Sequence, residues 1–330
     1  MAQERVCMRE RLRSRAMDPV AALLGGPHAR GAFLLRSLLR PPWSLRIADE
    51  APLTVLTVLR GSAWVVLADG RTVPVPAGDV VVLRGPRPYT VADDPATAPQ
   101  VLVGPGQVCT PVDGAGGGPM AVLGERSWGN DAAGPTVLLT GTYPAPGAVG
   151  ERLVRALPEL VVVHADEGTR AVTELLATEI DRDAAGQEAV LDRLLDVLLV
   201  SALRTWAARP DAGAPGWYLA AGDPVVGPAL ALLHDRPAEP WTVASLAGAV
   251  GVARATLARR FTELVGEPPM SYLTGWRMAL ATDLLRDPGL TLTGIARRVG
   301  YASPFALSAA YKRATGVSPA AHRATLGEAG

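Results

Sequence analysis

The spacing of apolar positions changes partway along the chain. Between residues 33 and 103 they fall in short β-branched runs: LTVLTVLRG (53–61), AWVVLADG (63–70), RTVPVPAGDVVVLRG (71–85) and PYTVADD (88–94). Asp69-Gly70, Pro76-Ala77-Gly78-Asp79 and Gly85-Pro86 interrupt them. Runs of this length between turn residues predict strands, and Asp-Gly between two apolar runs predicts a hairpin. Strands resume at TVLLTGTY (136–143) and LVVVHAD (160–166), and the glycine-rich stretch 104–119 is expected as a loop. Short strands so spaced predict a sandwich or small barrel.

From residue 168 the period becomes helical, in GTRAVTELLATEIDRD (168–183) and QEAVLDRLLDVLLVSALRTWAA (187–208). In the second, Leu191, Leu194, Leu195, Leu198 and Leu199 form an i, i+3, i+4 stripe. Val197, Val200 and Leu203 widen it beyond one modest domain face, so this helix is expected to cover the sheet or form a dimer seam. RPDAGAPGW (209–217) reads as a linker, and Asp223-Pro224 opens the next helix as N-cap plus first-turn proline. Met17-Asp18-Pro19 gives the same signal for a short helix near 18–25 and offers an alternative start, leaving 1–17 as an Arg-rich, disordered extension.

The last third contains an internal duplication. LAGAVGVA (246–253) aligns with IARRVGYA (295–302) at an offset of 49, matching Leu246 with Ile295, Ala247 with Ala296, Val250 with Val299 and Gly251 with Gly300. The offset then becomes 50, matching Leu257 with Leu307, Phe261 with Tyr311, Gly266 with Gly316 and Pro269 with Pro319. Each copy reads as helix, glycine-containing turn, helix, then a closing Gly and Pro, which is the pattern of a helix-turn-helix whose second helix enters the DNA major groove. Between the copies, SYLTGWRMALATDLLRD (271–287) predicts a helix of about 25 Å. A rigid spacer of that length holds two reading helices about one DNA turn apart.

Charge sharpens this picture. The 330 residues carry 32 basic and 32 acidic side chains, yet 240–330 has a balance of +5 and 1–17 of +3, leaving −8 on the remainder. A basic end on an acidic body points to a polyanion partner. Two cysteines, Cys7 and Cys109, exclude a disulfide framework, and no apolar run is long enough for a membrane span. Residues 1–19 lack the apolar core of a secretory signal, so the chain is expected in the cytoplasm.

These motifs resemble a known family. VGYASPFALSAAYKRATGVSPAAHR (299–323) looks like the signature of the AraC/XylS transcription regulators, and WTVASLAGAVGVARATLARRFTELVGEPP (241–269) looks like their first helix-turn-helix. PAGDVVVL (76–83) resembles the second cupin motif in its Pro-x-Gly-Asp portion. The resemblance implies a multidomain α and β protein. A cupin-like barrel or sandwich with dimerisation helices would occupy 18–210, a linker 211–222 and an all-α tandem helix-turn-helix domain 223–325. It further implies a bacterial regulator of double-stranded promoter DNA that contacts RNA polymerase, is modulated by a small-molecule effector and forms a homodimer.

Helix geometry selects the reading faces. In the first copy Leu257, Phe261 and Leu264 share one face, so Arg254, Ala255, Ala258, Arg259 and Thr262 lie opposite. Arginine forks bidentately onto guanine, worth about 1–3 kcal/mol of discrimination. Arg259 also matches an arginine that the family often places on bases, and Arg260, at the flank, is expected on phosphate. In the second copy the candidates are Ser303, Pro304, Phe305, Ser308, Lys312 and Arg313. Here the chain departs from the family, with Ala309 where relatives often carry arginine and Phe305 where they carry a polar residue. Phe305 suits a thymine methyl, Ser308 a base or phosphate, and Lys312 a phosphate. The first copy is therefore expected to read sequence and the second mainly to position.

No catalytic constellation competes. His28, His164, His234 and His322 are scattered, and H-x-H, H-E-x-x-H, P-loop and G-x-S-x-G patterns are missing from the sequence. No enzyme, metal or cofactor is expected, with His164 read as structural or pocket-lining and Cys109 as inert. A barrel mouth would be the effector pocket, with Trp43, Trp64, Arg84 and Tyr89 as lining candidates. Two other classes fit parts of the pattern: a cupin enzyme with a DNA-binding tail, and an interaction protein whose helical repeat docks protein.

Overall fold

The structure of the chain, a computed structural model, describes residues 33–112, 114, 118–143, 148–209 and 216–328. The extension 1–17, the helix expected near 18–25, His28 and the linker positions 210–215 lie outside the described residues. The chain divides into two compact units, one made of 27–146 and 154–213, the other including 147–153 and 214–330.

The first unit is built on strands β1 (Phe33–Leu39), β2 (Ser44–Ile47), β3 (Leu53–Arg60), β4 (Ser62–Val66), β5 (Thr72–Pro76), β6 (Val80–Arg84) and β7 (Tyr89–Ala92). It continues with β8 (Val101–Gly104), β9 (Val108–Pro111), β10 (Ala121–Gly124), β11 (Ser127–Gly129), β12 (Thr136–Tyr143) and β13 (Leu160–Val163). They form a seven-stranded sheet in the order β10-β11-β1-β12-β3-β6-β13 and a six-stranded sheet in the order β5-β4-β7-β2-β8-β9. Alternate residues point inward. Leu56, Val58, Val81 and Leu83 of the larger sheet join Ala63, Val65, Val91 and Val103 of the smaller one in a single buried core. The Asp69-Gly70 hairpin joins β4 to β5 as expected, with Gly70 at φ +87.

Three helices follow within 148–207: α1 (Ala148–Ala156), α2 (Glu167–Glu179) and α3 (Gln187–Ala207). Asp166 caps α2 by accepting from the Thr169 amide at 2.7 Å and also accepts from the Thr205 hydroxyl of α3 at 2.6 Å, tying the two together. Helices α2 and α3 pack on β3, β6 and β13, so β3 and β6 are buried on both faces. Such strands read as unbroken apolar runs. A Cβ at Gly141 of β12 would collide with Leu195 of α3, so glycine there permits close helix–sheet approach. Leu191, Leu195, Leu198 and Leu199 are buried, whereas Val190 and Val197 remain exposed. The expected loop 104–119 is corrected: it contains β9, and β10 and β11 follow it. β9 and β10 are short and almost wholly exposed, so they carry no apolar alternation.

The second unit contains α4 (Gly216–Ala221), α5 (Val226–Asp235), α6 (Val243–Ala249), α7 (Arg254–Val265), α8 (Pro269–Leu285), α9 (Leu292–Arg298), α10 (Pro304–Thr315) and α11 (Pro319–Glu328). Helix α4 occupies part of the stretch expected as linker; Ala220 is fully buried, and Gly216 lies against the Leu264 carbonyl with no room for a Cβ. Asp223 accepts from the Val225 and Val226 amides at 2.9 Å, and α5 begins at Val226, two residues beyond the Pro224 start that the sequence predicts. Helix α8 has 17 residues, about 25 Å of rise. Its Tyr272 and Leu273 join Leu246, Leu257 and Phe261 in one core, and its Met278, Ala281 and Leu285 join Ile295, Leu307 and Tyr311 in a second.

Candidate nucleic-acid interface

Each copy of the duplication folds as two helices joined by a glycine turn, and local chemistry sets both. Thr242 starts α6 by accepting from the Ser245 amide at 3.0 Å, while the Ser245 hydroxyl accepts from the Thr242 amide at 2.9 Å. Thr291 starts α9 through the Gly294 amide at 3.1 Å, and Ser303 starts α10 through the Ala306 amide at 3.2 Å. The turns require positive φ, +73 at Gly251 and +80 at Gly300, which glycine adopts without Cβ strain. The two differ in surroundings. A Cβ at Gly251 would meet nothing within 4 Å, whereas one at Gly300 would lie 2.8 Å from the Cα and carbonyl oxygen of Ala238.

On α7, Leu257 and Phe261 are fully buried, and Arg254, Ala255, Arg259 and Thr262 are exposed, with Ala258 half-buried. Thr262 donates to the Ala258 carbonyl at 2.9 Å. Arg259 pairs with Glu263 one turn later, at 2.9 and 3.1 Å, both side chains mostly exposed. Arg260 is placed differently from the expected phosphate contact. Its Nε lies 3.0 and 2.9 Å from the two carboxylate oxygens of Asp223, and its Nη2 lies 2.6 Å from one of them. The Arg260 guanidinium holds the largely buried Asp223 carboxyl down to about 2. Arg260 therefore fastens α7 to the start of α5.

Other arginines of this unit are also structural. Arg277 donates to the carbonyls of Pro237 and Glu239, each at 2.7 Å, and Arg323 donates to those of Leu285 and Leu290 at 3.3 and 2.8 Å. Lys312 and Arg313 on α10 are exposed, as are Arg297 and Arg298 in the last turn of α9, and none of the four side chains has a hydrogen-bond or ion-pair partner among the described residues. Arg297 and Arg298 are not among the residues that the helix faces of the sequence select. The signal lay in the duplication itself, since they align with Gly248 and Ala249 of the first copy. On α10, Phe305 is 85% exposed, Ser308 and Pro304 are half-buried, and Leu307 and Tyr311 are core.

The β unit holds a cavity of about 390 Å³ between its two sheets. Of the four lining residues expected, Tyr89 lines it. Trp43 is instead fully buried in the core, Trp64 is half-buried on β4, and Arg84 reaches the Arg155 carbonyl at 3.4 Å. His164 is a structural residue: its Nδ1 lies 2.7 Å from Asp79, whose buried carboxylate also accepts from the Ala165 amide at 3.1 Å. The Asp of the Pro-x-Gly-Asp turn thereby anchors the end of β13. Cys109 lies at the cavity, and burial raises its thiol pKa. His234 is buried against Trp276, with Nε2 2.7 Å from the Tyr272 hydroxyl. Among the described residues no group of three or more His, Cys, Asp or Glu converges on one point, and no helix is long and apolar enough to cross a membrane.

Comparison with known proteins agrees with both halves. The cupin family matches residues 18–208 and a helix-turn-helix domain family matches 246–325. A Streptomyces lividans protein named as an AraC-like transcription regulator is 33% identical over 314 residues, spanning 93% of this chain and 98% of that one. The HTH-type transcriptional regulator AlkR of Acinetobacter baylyi is 28% identical, spanning 93% and 99%. Among solved structures, the DNA-binding domain of AdpA, in complex with a target DNA, is 34% identical over 32% of this chain and 93% of that one, with a TM-score of 0.30.

Proposed function

As a member of the AraC-like family of transcription regulators, this chain is a sequence-specific DNA-binding regulator, and we propose that its two helix-turn-helix copies divide the work between reading and gripping. The supporting observation is how the cations are distributed. Helix α7 offers Arg254 and Arg259 to base edges. The second copy offers Arg297, Arg298, Lys312 and Arg313 to phosphates, with Phe305 toward a thymine methyl and Ser303, Pro304 and Ser308 beside it. An exposed i, i+4 pair such as Arg259–Glu263 is worth about 0.3–0.5 kcal/mol, and a bidentate guanine contact about 1–3 kcal/mol, so Arg259 exchanges partner favourably.

The protein acts by binding, without a catalytic step or cofactor, on promoter DNA in the cytoplasm, and RNA polymerase is its partner there. The β-unit cavity receives the effector, which must bind two states with different affinity to alter DNA occupancy. Leu175, Val190 and Val197, exposed on α2 and α3, form a homodimer seam. The test is DNA affinity against salt. Phosphate neutralisation releases counterions with a slope of about −0.9 per contact, so Arg297→Ala with Arg298→Ala flattens the slope by about 2 and weakens all sequences alike. An unchanged slope contradicts the gripping role, and salt-insensitive binding favours a protein-docking repeat.

A further inference from the structure

Strand register places the cavity's two charged groups at one end. Phe33, Leu35 and Ser37 of β1 line the cavity in alternation, opposed by Thr142, Thr140 and Leu138 of β12. Asp49, just beyond the end of β2, lies at the Phe33 end. So does Tyr89, the register partner of Ile47. Glu125 falls at the same end, two residues before Ser127, which pairs with Arg36. This end is open, with Phe33, Cys109 and Glu125 exposed. The opposite end is closed by Leu45, Leu56, Val91 and Leu138, each at most 6% exposed.

Both charged groups among the described lining residues are carboxylates, and Lys, Arg and His do not line the cavity there. Arg36, at an intervening position on β1, is neutralised by Asp181 at 2.5 Å and donates to the Oγ of the lining Ser127 at 3.1 and 3.0 Å. Asp49 accepts from Gln107 at 2.7 Å and from the Ala51 amide at 3.1 Å, which leaves acceptor capacity on its carboxylate. Glu125 has no hydrogen-bond or ion-pair partner among the described residues.

The geometry points to an apolar monocation as the cavity's ligand, its body on the leucine and valine floor and its ammonium at the mouth between Asp49 and Glu125. This rests on the proposed sensing role of the cavity. A carboxylate ligand would meet two like charges. A sugar would carry more hydroxyls than Ser37, Thr140 and Thr142 can pair, leaving the rest against the leucine and valine floor. An ammonium instead gains charge-assisted hydrogen bonds to the two carboxylates. The volume, about 390 Å³, is at the small end for ligand sites and suits a compact amphiphile.

Calorimetric titration of the full chain with 1-naphthylmethylamine, 1-naphthalenemethanol and 1-naphthoate tests this, because the three share one apolar body. The expected result is that the amine binds about tenfold or more tighter than the other two. Glu125→Gln, at an exposed and unpaired position, and Asp49→Asn should each narrow that gap while leaving the alcohol unchanged. Equal binding of all three, or tightest binding of the carboxylate, overturns the ligand class while the sensing role of the cavity survives. Binding of none, in a preparation that still recognises its DNA site, overturns both.

Discussion

Arg259 and Arg260 are chemically identical neighbours with opposite fates. Arg260 meets the largely buried carboxylate of Asp223, between α4 and α5, so Arg260→Ala should destabilise the fold more than Arg259→Ala does. Arg259→Ala should cost no more than about 0.5 kcal/mol. Chemical denaturation of both variants checks the contrast, and equal losses would refute it. Periodicity along α7 identified the core residues Leu257 and Phe261, because neighbours on one helix face are fixed by the sequence itself. It could not identify the role of Arg260, whose partner Asp223 is 37 residues away. Arg277 and Arg323 escaped for the same reason. His234 adds a pH dependence. Burial first, then the charge of Arg152, lowers its pKa to about 3, so the folded state holds it neutral. The unfolded chain binds the proton near pH 6.5, so this stability is complete above that pH and is lost as pH falls toward 3, by up to about 1.4 kcal/mol per unit. Melting at pH 5 should be lower than at pH 7, and His234→Gln should reduce the difference; an undiminished difference would exclude His234 as its source.

At the scale of elements, the two turn glycines separate conformation from packing. Gly251→Ala carries the left-handed strain alone, about 1–2 kcal/mol. Gly300→Ala adds a collision with the backbone of Ala238 and should be clearly more damaging in thermal melts of the same protein. Equal costs would mean the second turn has more room than its geometry shows. The duplication made both turns visible in the sequence, but the collision comes from a loop outside the repeat. Among strands, β3, β6 and β12 were legible because burial on both faces left unbroken apolar runs. β9 and β10, short and exposed, lacked any such signature.

At the scale of the molecule, the order of a β-rich half and a tandem helical half was readable because each half has its own apolar period. The cavity was not. Its walls come from many strands, each supplying one to three alternating residues, so no local stretch announces it. Trp43, expected at the cavity, fills the core instead. The second helix of each copy was legible as a helix, and the proposed difference between them rests on Arg254 and Arg259 in one and on Phe305, Ala309 and Lys312 in the other.

Selection of binding sites from random duplex DNA tests this division of labour most directly, with Arg259→Ala run in parallel. The predicted outcome is a site whose information is concentrated in one half, with the variant losing preference at a single guanine there, worth about 1–3 kcal/mol. Equal information in both halves, or an Arg259→Ala profile identical to that of the unaltered protein, would contradict it.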